Sequence, residues 1–401
     1  MPTDDSMRRE PVAILCYPTI GGSGRIACQL AKGLAARGHD VRVVSYEEPV
    51  FLDPSIRFER VAVLDYPLLR YPPYDQALAA RICELHEQHG IRLFHAHYAI
   101  PHAVAVLLAD AMLGGNRLRL VTTLHGTDIS VVGRDPAYRR AVQWALERSD
   151  AVTAVSASLA AQTRSEIGFD GAIDVVPNFV DTEVFRPGAG PRWVDRPFDE
   201  PRRIVHLSTF RPVKRAWLLV EVLAELAKVL PFEVDMVGTG PDLDAARALA
   251  RERCIENRLR FVGSEANPAR YLQSADLFVF ASATESFGLG ILEALACRVP
   301  VVGPAVGGVP EVLGDPAAGI LVEESPGVGG VDATGRVMGD VSATEAFVRS
   351  IASGMAELLL DADAYRATAA RGPERATSVF PFDRALEAYL ALYQRVEARR
   401  S

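Results

Sequence analysis

Cysteine is scarce in this chain of 401 residues, and the five cysteines that occur are scattered along it. None of them forms a C-x-x-C pair, so the sequence lacks the usual spacing of a zinc site or a redox dithiol. Their number is odd and their separations are large. We therefore interpret them as reduced thiols in a folded core.

Long apolar runs are also missing. The most apolar stretch, Ala103 to Leu113, is interrupted by Asp110 and is far shorter than the roughly 20 residues that a membrane span requires. The first residues include Asp4 and Asp5 and lack the uninterrupted apolar region of a signal peptide. We expect no membrane partner, no export and a cytoplasmic protein.

The chain has no excess of positive charge, since its formal net charge is -8. A protein with this balance has no global attraction for polyphosphates, so nucleic acid is not an expected partner and any anionic ligand needs a local site. Hydrophobic residues make up 49% and charged residues 23%, which is typical of a folded globular protein. The length favours two compact domains.

Short buried runs alternate with helical patterns in both halves of the chain, which predicts two doubly wound α/β domains. We place an N-terminal domain at 1–185 and a C-terminal domain at 186–383, because the segment from Arg186 to Pro201 is rich in proline, glycine and charge. In such sheets, ligands bind beyond the carboxyl ends of the strands. The runs predicted as strands begin at Val12, Val41, Arg92, Leu118 and Ala151, and again at Ile204, Val234, Leu259, Leu277, Val299 and Gly319.

Two further segments lie outside this alternation. The Gly-rich segment from Glu323 to Ser342 has no apolar period and is interpreted as a surface excursion without an assigned function. A final helix within 384–401 places Leu386, Leu390 and Tyr393 on one stripe. We expect it to pack on the N-terminal domain.

Two motifs of the first half follow predicted strands. Gly21, Gly22 and Gly24 permit close backbone approach before a helix whose N–H groups suit a diphosphate, although a tight strand-to-helix turn explains them equally well. The spacing does not match the G-x-G-x-x-G pattern of dinucleotide-binding oxidoreductases. His125 and Asp128 follow another strand, where they face a ligand or merely cap the next helix.

A metal site is not favoured. His95, His97 and His102 lie close together in the sequence, but no carboxylate or cysteine accompanies them at a ligand spacing. The two D-x-D strings, at Asp242 and Asp361, lie in polar helical contexts. We therefore expect no metal and no cofactor.

The second half contains a cationic cluster and two glutamates. Arg211, Lys214 and Arg215 follow a strand, where they either converge on one phosphate or remain solvated. Glu285 precedes a helix start, and Glu293 lies in an apolar run. A buried carboxylate needs a partner, so a ribose diol would explain Glu293, with an internal salt bridge as the alternative.

Together these motifs resemble the family 4 retaining glycosyltransferases of GT-B fold, and the resemblance spans nearly the whole chain. The stretches CYPTIGGSG, YPPYD, HAHYAIPHA, TTLHGTDI and ESFGL are similar to a subgroup active in bacillithiol biosynthesis, which transfers N-acetylglucosamine from its UDP conjugate to L-malate. The resemblance implies two Rossmann-like domains facing across a cleft. It also implies a UDP-sugar donor and a small hydroxy-acid acceptor, with no metal.

The resemblance also implies the role of each site residue. His125, Arg211, Lys214 and Glu285 would be catalytic, with the cations neutralising the diphosphate, Glu285 on sugar hydroxyls and His125 facing the sugar where positive charge develops. Glu293 would hold the ribose. The remaining donor-side residues would be Gly22, Ser23, Gly24, Gly263, Phe287, Gly288 and Leu289, and the acceptor-side residues Tyr98, Thr122 and Thr123.

The chain departs from the wider family pattern at two places. Thr209 stands where the family often has arginine, as in the malate-specific subgroup, and the segment after Glu323 is longer than the family pattern. A related transferase with an inositol phosphate as acceptor, or a nucleotide-sugar-binding protein without turnover, are alternatives. The sequence leaves open whether the chain forms a homodimer.

Overall fold

The computed structural model describes residues 10–64, 72–197, 199–331 and 337–398. These residues form two compact units. Unit 1 comprises the described residues up to Asn178 together with those from Phe382 onward, and unit 2 comprises Phe179–Pro381.

Unit 1 is built on a seven-stranded sheet with the strand order β3-β2-β1-β4-β5-β6-β7. Every neighbouring pair of strands in it is parallel. Its strands are β1 Val12–Leu15, β2 Val41–Ser45, β3 Arg57–Arg60, β4 Leu93–His97, β5 Arg119–Leu124, β6 Ala151–Ala154 and β7 Ile173–Val175. Its helices are α1 Gly22–Ala36, α2 Tyr74–His89, α3 Val104–Met112, α4 Pro136–Arg148 and α5 Ala157–Ile167.

The central strands of this sheet are apolar because both of its faces are covered. All residues of β1, β2, β4 and β5 are buried, as expected for a parallel sheet enclosed by helices. The helix α1 ends where the sequence predicts, since Gly38 adopts a left-handed φ of 87° just beyond it.

The last helix of the chain, α13 at Phe382–Ala398, lies in unit 1, after the helices of unit 2 in chain order. A Cβ on Gly33 of α1 would lie 2.3 Å from the ring of Phe382, so glycine allows the close approach of the two helices. Leu386, Tyr389 and Tyr393 are buried. The apolar stripe of α13 therefore packs on this unit.

Unit 2 contains a six-stranded sheet with the order β10-β9-β8-β11-β12-β13, again with all neighbours parallel. Its strands are β8 Arg202–Leu207, β9 Phe232–Val237, β10 Leu259–Gly263, β11 Leu277–Val279, β12 Val301–Pro304 and β13 Gly319–Val322. Its helices are α6 Ala216–Leu226, α7 Leu243–Glu252, α8 Ala269–Ser274, α9 Leu289–Ala296, α10 Val309–Leu313, α11 Val341–Leu360 and α12 Ala362–Ser378.

The segment that the sequence marks as a connection, Arg186 to Pro201, is packed within unit 2. Trp193 is buried in the core of this unit, and its backbone N–H donates to Asp276 at 2.9 Å. Arg192 donates to the carbonyl oxygens of Ala275 and Cys297. A buried indole and two backbone contacts hold the segment, despite its loop-like composition.

The Gly-rich segment contains regular structure. Its described residues include a two-stranded antiparallel hairpin, β14 Gly330–Val331 and β15 Val337–Met338. Asp340 then caps α11, because its side chain accepts the N–H groups of Ser342 and Ala343.

The fold class predicted from the sequence is confirmed, since two parallel doubly wound sheets occur. Each sheet reverses its strand order at one point, between β1 and β4 in unit 1 and between β8 and β11 in unit 2. Ligands of such sheets bind at this point, outside the carboxyl ends of the strands. No helix among the described residues is long and apolar enough to cross a membrane.

Candidate active site

In unit 1, the glycine turn follows β1 at the point where the strand order reverses. A Cβ on Gly24 would lie 2.8 Å from the carbonyl oxygen of Thr19, so glycine is required there by the close packing of the turn. Gly22 is exposed and Ser23 is half-buried in the first turn of α1. Gly24 thus serves the turn itself, whereas Gly22 and Ser23 lie at a helix N-terminus that suits an anion.

Tyr98 follows β4 on the other side of that point. Its hydroxyl donates to the Oγ of Ser23 at 2.9 Å, which joins two residues that the sequence analysis assigned to different ligands. Its φ of 95° is in the left-handed region, a conformation that costs about 1–3 kcal/mol for a residue other than glycine. Such strain is concentrated at functional sites, because the surrounding structure must enforce it.

Thr122 and Thr123 lie inside the sheet and are fully buried. The Oγ1 of Thr122 is 2.8 Å from the Oγ of Ser149, and the Oγ1 of Thr123 is 2.6 Å from both His95 Nε2 and Thr153 Oγ1. Both hydroxyls are therefore engaged by neighbours within the protein.

His125 follows β5 and contacts two residues of the β4 end. Its Nε2 is 2.9 Å from His97 Nδ1, and its ring centroid lies 5.2 Å from that of Tyr98. The parallel register of β4 and β5, which pairs His97 with Thr123, brings these side chains together. From the sequence, His97 is a candidate only for a metal site, and its contact with His125 depends on the strand register.

The histidines of this group are neutral. Burial lowers the pKa of His95 and His125 to about 3 and that of His102 to about 4, because desolvation disfavours the imidazolium form. Burial also lowers the pKa of His97 well below its usual value.

Asp128 holds the turn that carries His125. Its Oδ1 accepts the backbone N–H of Gly126 at 2.9 Å. Burial raises its pKa to about 6, although several backbone N–H groups oppose that shift. The carboxyl group is buried against the turn. Asp128 therefore fixes the backbone of the turn that carries His125.

The three histidines near β4 are not arranged around a common point. Both ring nitrogens of His95 are engaged, by Tyr393 at 2.7 Å and Thr123 at 2.6 Å. His102 Nδ1 lies 2.6 Å from the carbonyl oxygen of His97. Within the described ranges, no group of three or more histidine, cysteine or acidic side chains is placed to hold a metal ion.

In unit 2, the loops after β8 and β11 bring Lys214 and Glu285 together. The Nζ of Lys214 lies 2.5 Å from the Oε1 of Glu285, and the same oxygen accepts the hydroxyl of Ser282 at 2.7 Å. Both side chains are mostly buried, at 18% and 16% exposure. A charge pair of opposite sign, placed at the reversal point of the sheet, is suited to a ligand that carries both phosphate and hydroxyl groups.

Arg215 follows neither alternative that the sequence left open, since it is buried and bonded within the protein instead of converging on a phosphate or remaining solvated. Its guanidinium is buried and donates to the carbonyl oxygens of Ala281 and Ser282 and to both oxygens of Glu324. It therefore ties the β8 loop to the β11 loop. A buried guanidinium that donates to two carbonyls and a carboxylate within the protein is not placed to bind a phosphate.

Arg211 is exposed, and its Nε donates to the Oγ1 of Thr209 at 3.0 Å. The backbone N–H of Lys214 donates to the carbonyl oxygen of Arg211 at 2.7 Å, within the short turn Pro212–Lys214. Arg211 and Lys214 therefore belong to one turn, and the guanidinium of Arg211 lies at the surface.

The helix α9 carries most of the remaining donor-side residues. Gly288 caps it with a φ of 91°, and Leu289 is its first residue. Glu293 lies in the same helix and is only 5% exposed. Phe287 is buried with its ring 5.4 Å from that of Phe380, so its side chain packs in the core.

Glycines of neighbouring loops shape this half of the site. A Cβ on Gly307, which follows β12, would lie 1.9 Å from the carbonyl oxygen of Glu285, and Gly308 N–H donates to that oxygen at 2.9 Å. Gly238 N–H donates to the carbonyl oxygen of Gly263 at 2.7 Å. Gly307 and Gly238 are not among the residues expected from the sequence. Gly238 is the first residue after β9 and Gly307 the third after β12, and ligands of this fold bind beyond such strand ends.

His206 was also missed. Its Nδ1 lies 2.9 Å from the carbonyl oxygen of Val279 and its Nε2 lies 2.9 Å from the Oγ of Ser208. Because the carbonyl can only accept, Nδ1 carries the proton and Nε2 accepts from Ser208. The side chain thus joins β8, β11 and the loop that leads to Arg211.

Comparisons with known proteins identify the family and the fold. The family model described as Glycosyltransferase Family 4 matches residues 20–184, and the one described as Glycosyl transferases group 1 matches residues 192–327. The chain is 39% identical over 326 residues to the N-acetyl-alpha-D-glucosaminyl L-malate synthase of Bacillus anthracis, covering 80% of this chain and 85% of that protein.

Two other similarities extend the comparison. The D-inositol 3-phosphate glycosyltransferase of Mycobacterium tuberculosis is 30% identical over 336 residues, covering 75% of this chain and 68% of that protein. The solved structure of sucrose-phosphate synthase from Thermosynechococcus elongatus matches with a TM-score of 0.78 at 21% identity, covering 98% of this chain and all of that one. At that identity, the structural match concerns the fold alone.

Proposed function

Because this chain belongs to the family 4 glycosyltransferases, we propose that it transfers N-acetylglucosamine from UDP-N-acetylglucosamine to the hydroxyl of L-malate, with retention of anomeric configuration. The observation that carries this proposal is the 39% identity to a malate synthase over 80% of the chain. The product would enter bacillithiol biosynthesis as its first intermediate.

The donor diphosphate is assigned to unit 2. Lys214 and Arg211 supply positive charge from one turn, and the N-terminus of α9 at Gly288 and Leu289 supplies backbone N–H groups. These groups stabilise the charge that grows on the departing diphosphate, which is worth several kcal/mol in a site shielded from water. Lys214 is held ready by its ion pair with Glu285.

The two glutamates are assigned to the hydroxyl groups of the donor. Glu285 accepts hydroxyls of the transferred sugar, and Lys214 shifts toward the phosphate when the donor arrives, so neither charge is left without a partner. Glu293 accepts the ribose diol from its place in α9. Gly263 and Phe287 contribute backbone at the same loops.

The acceptor is assigned to unit 1. The hydroxyl of Tyr98, with Ser23 beside it, offers hydrogen bonds to a carboxylate of malate. Thr122 and Thr123 support this side from within the sheet, since their hydroxyls bond to other residues. Gly22 and Gly24 shape the turn that carries Ser23.

The proposed reaction breaks the bond between the anomeric carbon and the diphosphate oxygen and forms one from that carbon to the malate hydroxyl oxygen. The hydroxyl proton passes to the departing diphosphate oxygen, so no side-chain nucleophile is required. Positive charge develops on the sugar, and a neutral His125 avoids the repulsion that an imidazolium would exert. The protein contributes mainly electrostatic stabilisation.

We also propose that no divalent metal takes part, because Lys214, Arg211 and the N-terminus of α9 would supply the positive charge that the leaving diphosphate needs. Activity should be unchanged in excess chelator. If chelation abolished turnover and magnesium restored it, this part of the proposal would be wrong.

The acceptor is tested by supplying the two candidate acceptors separately. UDP release is measured with UDP-N-acetylglucosamine and either L-malate or an inositol phosphate, the second candidate favoured by the 30% identity to D-inositol 3-phosphate glycosyltransferase. We expect release with L-malate, and an α-linked product by proton NMR. Turnover only with the inositol phosphate would show that malate is not the acceptor. A β-linked product would refute the retention of anomeric configuration. Donor binding without turnover on either acceptor would refute the proposal that the protein is an enzyme.

A further inference from the structure

His97 contacts His125 but has no role in the reaction described above. We propose that His97 is a positioning residue that holds His125 in its Nδ1-protonated neutral form. Its kinetic consequence rests on the proposed function, whereas its structural part concerns the protein alone.

The contact is specific. His97 Nδ1 lies 2.9 Å from His125 Nε2, and the two rings are nearly parallel, with an interplanar angle of 18°. One of these nitrogens must donate and the other accept, because neutral imidazole carries a single N–H.

Burial decides which nitrogen donates. His97 Nε2 is buried, and none of the described residues offers it a hydrogen-bond partner. If His125 were the donor, His97 would carry its own proton on Nε2, leaving a buried N–H without an acceptor. Orphaned N–H groups are rarer than orphaned acceptors, and each costs its desolvation free energy. His97 therefore donates from Nδ1, and His125 keeps its proton on Nδ1.

His102 follows the same rule nearby. Its Nδ1 lies 2.6 Å from the carbonyl oxygen of His97, which can only accept, so the proton is on Nδ1. Its Nε2 is a buried lone pair without a partner among the described residues. The site thus tolerates an orphaned imidazole lone pair in one case where the tautomer is unambiguous.

The ring of His97 also packs against the ring of His95, which is itself fixed by hydrogen bonds. Its centroid lies 4.5 Å from that of His95, whose two nitrogens bond to Tyr393 and Thr123. Tyr393 belongs to α13, so the last helix of the chain anchors the histidine group. A side chain whose position is fixed by such packing and hydrogen bonds can orient the residue that it contacts.

The consequence concerns what His125 can do. With its Nε2 lone pair committed to His97, His125 can donate through Nδ1–H but cannot take a proton from an acceptor hydroxyl without losing that bond. His97 thereby keeps His125 neutral and excludes it as a general base, which agrees with proton transfer to the departing diphosphate.

The test combines NMR and kinetics on the full chain. In ligand-free protein labelled with ¹⁵N-histidine, two-bond proton–nitrogen spectra report the tautomer of His125, assigned by its loss in His125→Gln. We expect Nδ1–H in the wild type, a mixture in His97→Leu, and Nδ1–H again in His97→Asn, whose amide can replace the donor.

The kinetic arm uses the same variants. His97→Leu should lower kcat about tenfold, as for one neutral hydrogen bond, with unchanged KM for donor and acceptor, and His97→Asn should recover most of it. The matched control is His86→Leu, which removes a histidine bond to the carbonyl oxygen of Ile91 in the same unit. It should change neither the tautomer of His125 nor kcat.

Several outcomes would overturn the proposal. These are an Nε2–H tautomer in the wild type, an unchanged tautomer in His97→Leu, or an altered tautomer with unchanged kcat. If His97→Leu fails to fold, the wild-type spectrum and His97→Asn still decide. If the wild type turns over neither acceptor, the proposed function fails, while the tautomer spectra still test the role of His97.

Discussion

Replacing Gly307 with alanine tests whether the loop after β12 positions Glu285. An added Cβ would lie 1.9 Å from the carbonyl oxygen of Glu285, whereas ordinary contact begins at 3.4 Å, so the two atoms must separate by about 1.5 Å. The bond from Gly308 N–H to that oxygen would then be lost. Glu285 would move away from Lys214 and from the position that we propose for its contact with the sugar.

The magnitude follows from that displacement. A misplacement of about 1 Å at a catalytic group costs on the order of 10²-fold in rate, so we expect Gly307→Ala to lower kcat/KM for UDP release by about 10²-fold. The φ of Gly307 is 54°, and the left-handed conformation adds about 1–2 kcal/mol of destabilisation for alanine.

Gly90→Ala separates these two effects. Gly90 has a φ of 67° with nothing within 4 Å of an added Cβ, so alanine there has only the backbone cost of about 1–2 kcal/mol. That corresponds to a fall of about 2–8 °C in the melting temperature for a unit of roughly 200 residues. We expect Gly90→Ala to keep its kcat/KM. A Gly307→Ala enzyme within about threefold of wild type, measured under the same conditions, would refute the reasoning.

Three further predictions concern charges. Lys214→Met should lower kcat about 10²–10³-fold with little change in the KM for acceptor, because it removes the charge stabilisation that we propose for the leaving group; steady-state kinetics checks this. Arg215→Lys should weaken UDP binding in calorimetry about tenfold, because lysine cannot hold Glu324 and two carbonyls together. Acid should destabilise unit 1, because the folded pKa values of His95 and His102 lie at about 3 and about 4, below the unfolded value of about 6.5. The histidine contribution to stability is complete above pH 6.5 and falls toward pH 4, by up to about 1.4 kcal/mol per pH unit and histidine, while Asp128, with its pKa raised to about 6, contributes in the opposite direction. Melting of wild type and His102→Asn across this range isolates the histidine contribution.

Each of these has a clear contrary result. A rise in acceptor KM alone in Lys214→Met would place the lysine at the acceptor. Unchanged UDP affinity in Arg215→Lys would show that the two loops hold their shape without the guanidinium. An acid slope in His102→Asn equal to that of the wild type would mean that His102 does not titrate on unfolding in this range.

Local signals in the sequence were sufficient for the fold class and the family. Most strands of both sheets are short buried runs separated by helical patterns, and this alternation can be read from the sequence without any long-range information. The family resemblance was confirmed by the comparisons, because it rests on long matches in register. The edge strands β3 and β7 were missed, since Arg57–Arg60 and Ile173–Val175 are mostly polar or only partly buried.

What the sequence could not determine depends on contacts between distant residues. The segment around Trp193 has the composition of a linker, yet burial of the indole fixes it in unit 2. The sequence left Arg215 as a phosphate ligand or a solvated side chain, but the carbonyls of Ala281 and Ser282 and the carboxylate of Glu324 hold it inside the protein. A side chain's partner is set by which loops meet in space, and spacing along the chain does not encode this.

The sequence by itself therefore determined the layered α/β architecture and the chemical type of each candidate residue, because both follow from periodicity and from the end of each strand. Only the tertiary structure decided that Lys214 pairs with Glu285, that His97 faces His125 and that Gly307 leaves room for the Glu285 backbone. The physical reason is that parallel strands far apart in the chain present their carboxyl ends at one edge, where hydrogen-bond geometry and steric fit select the final partners.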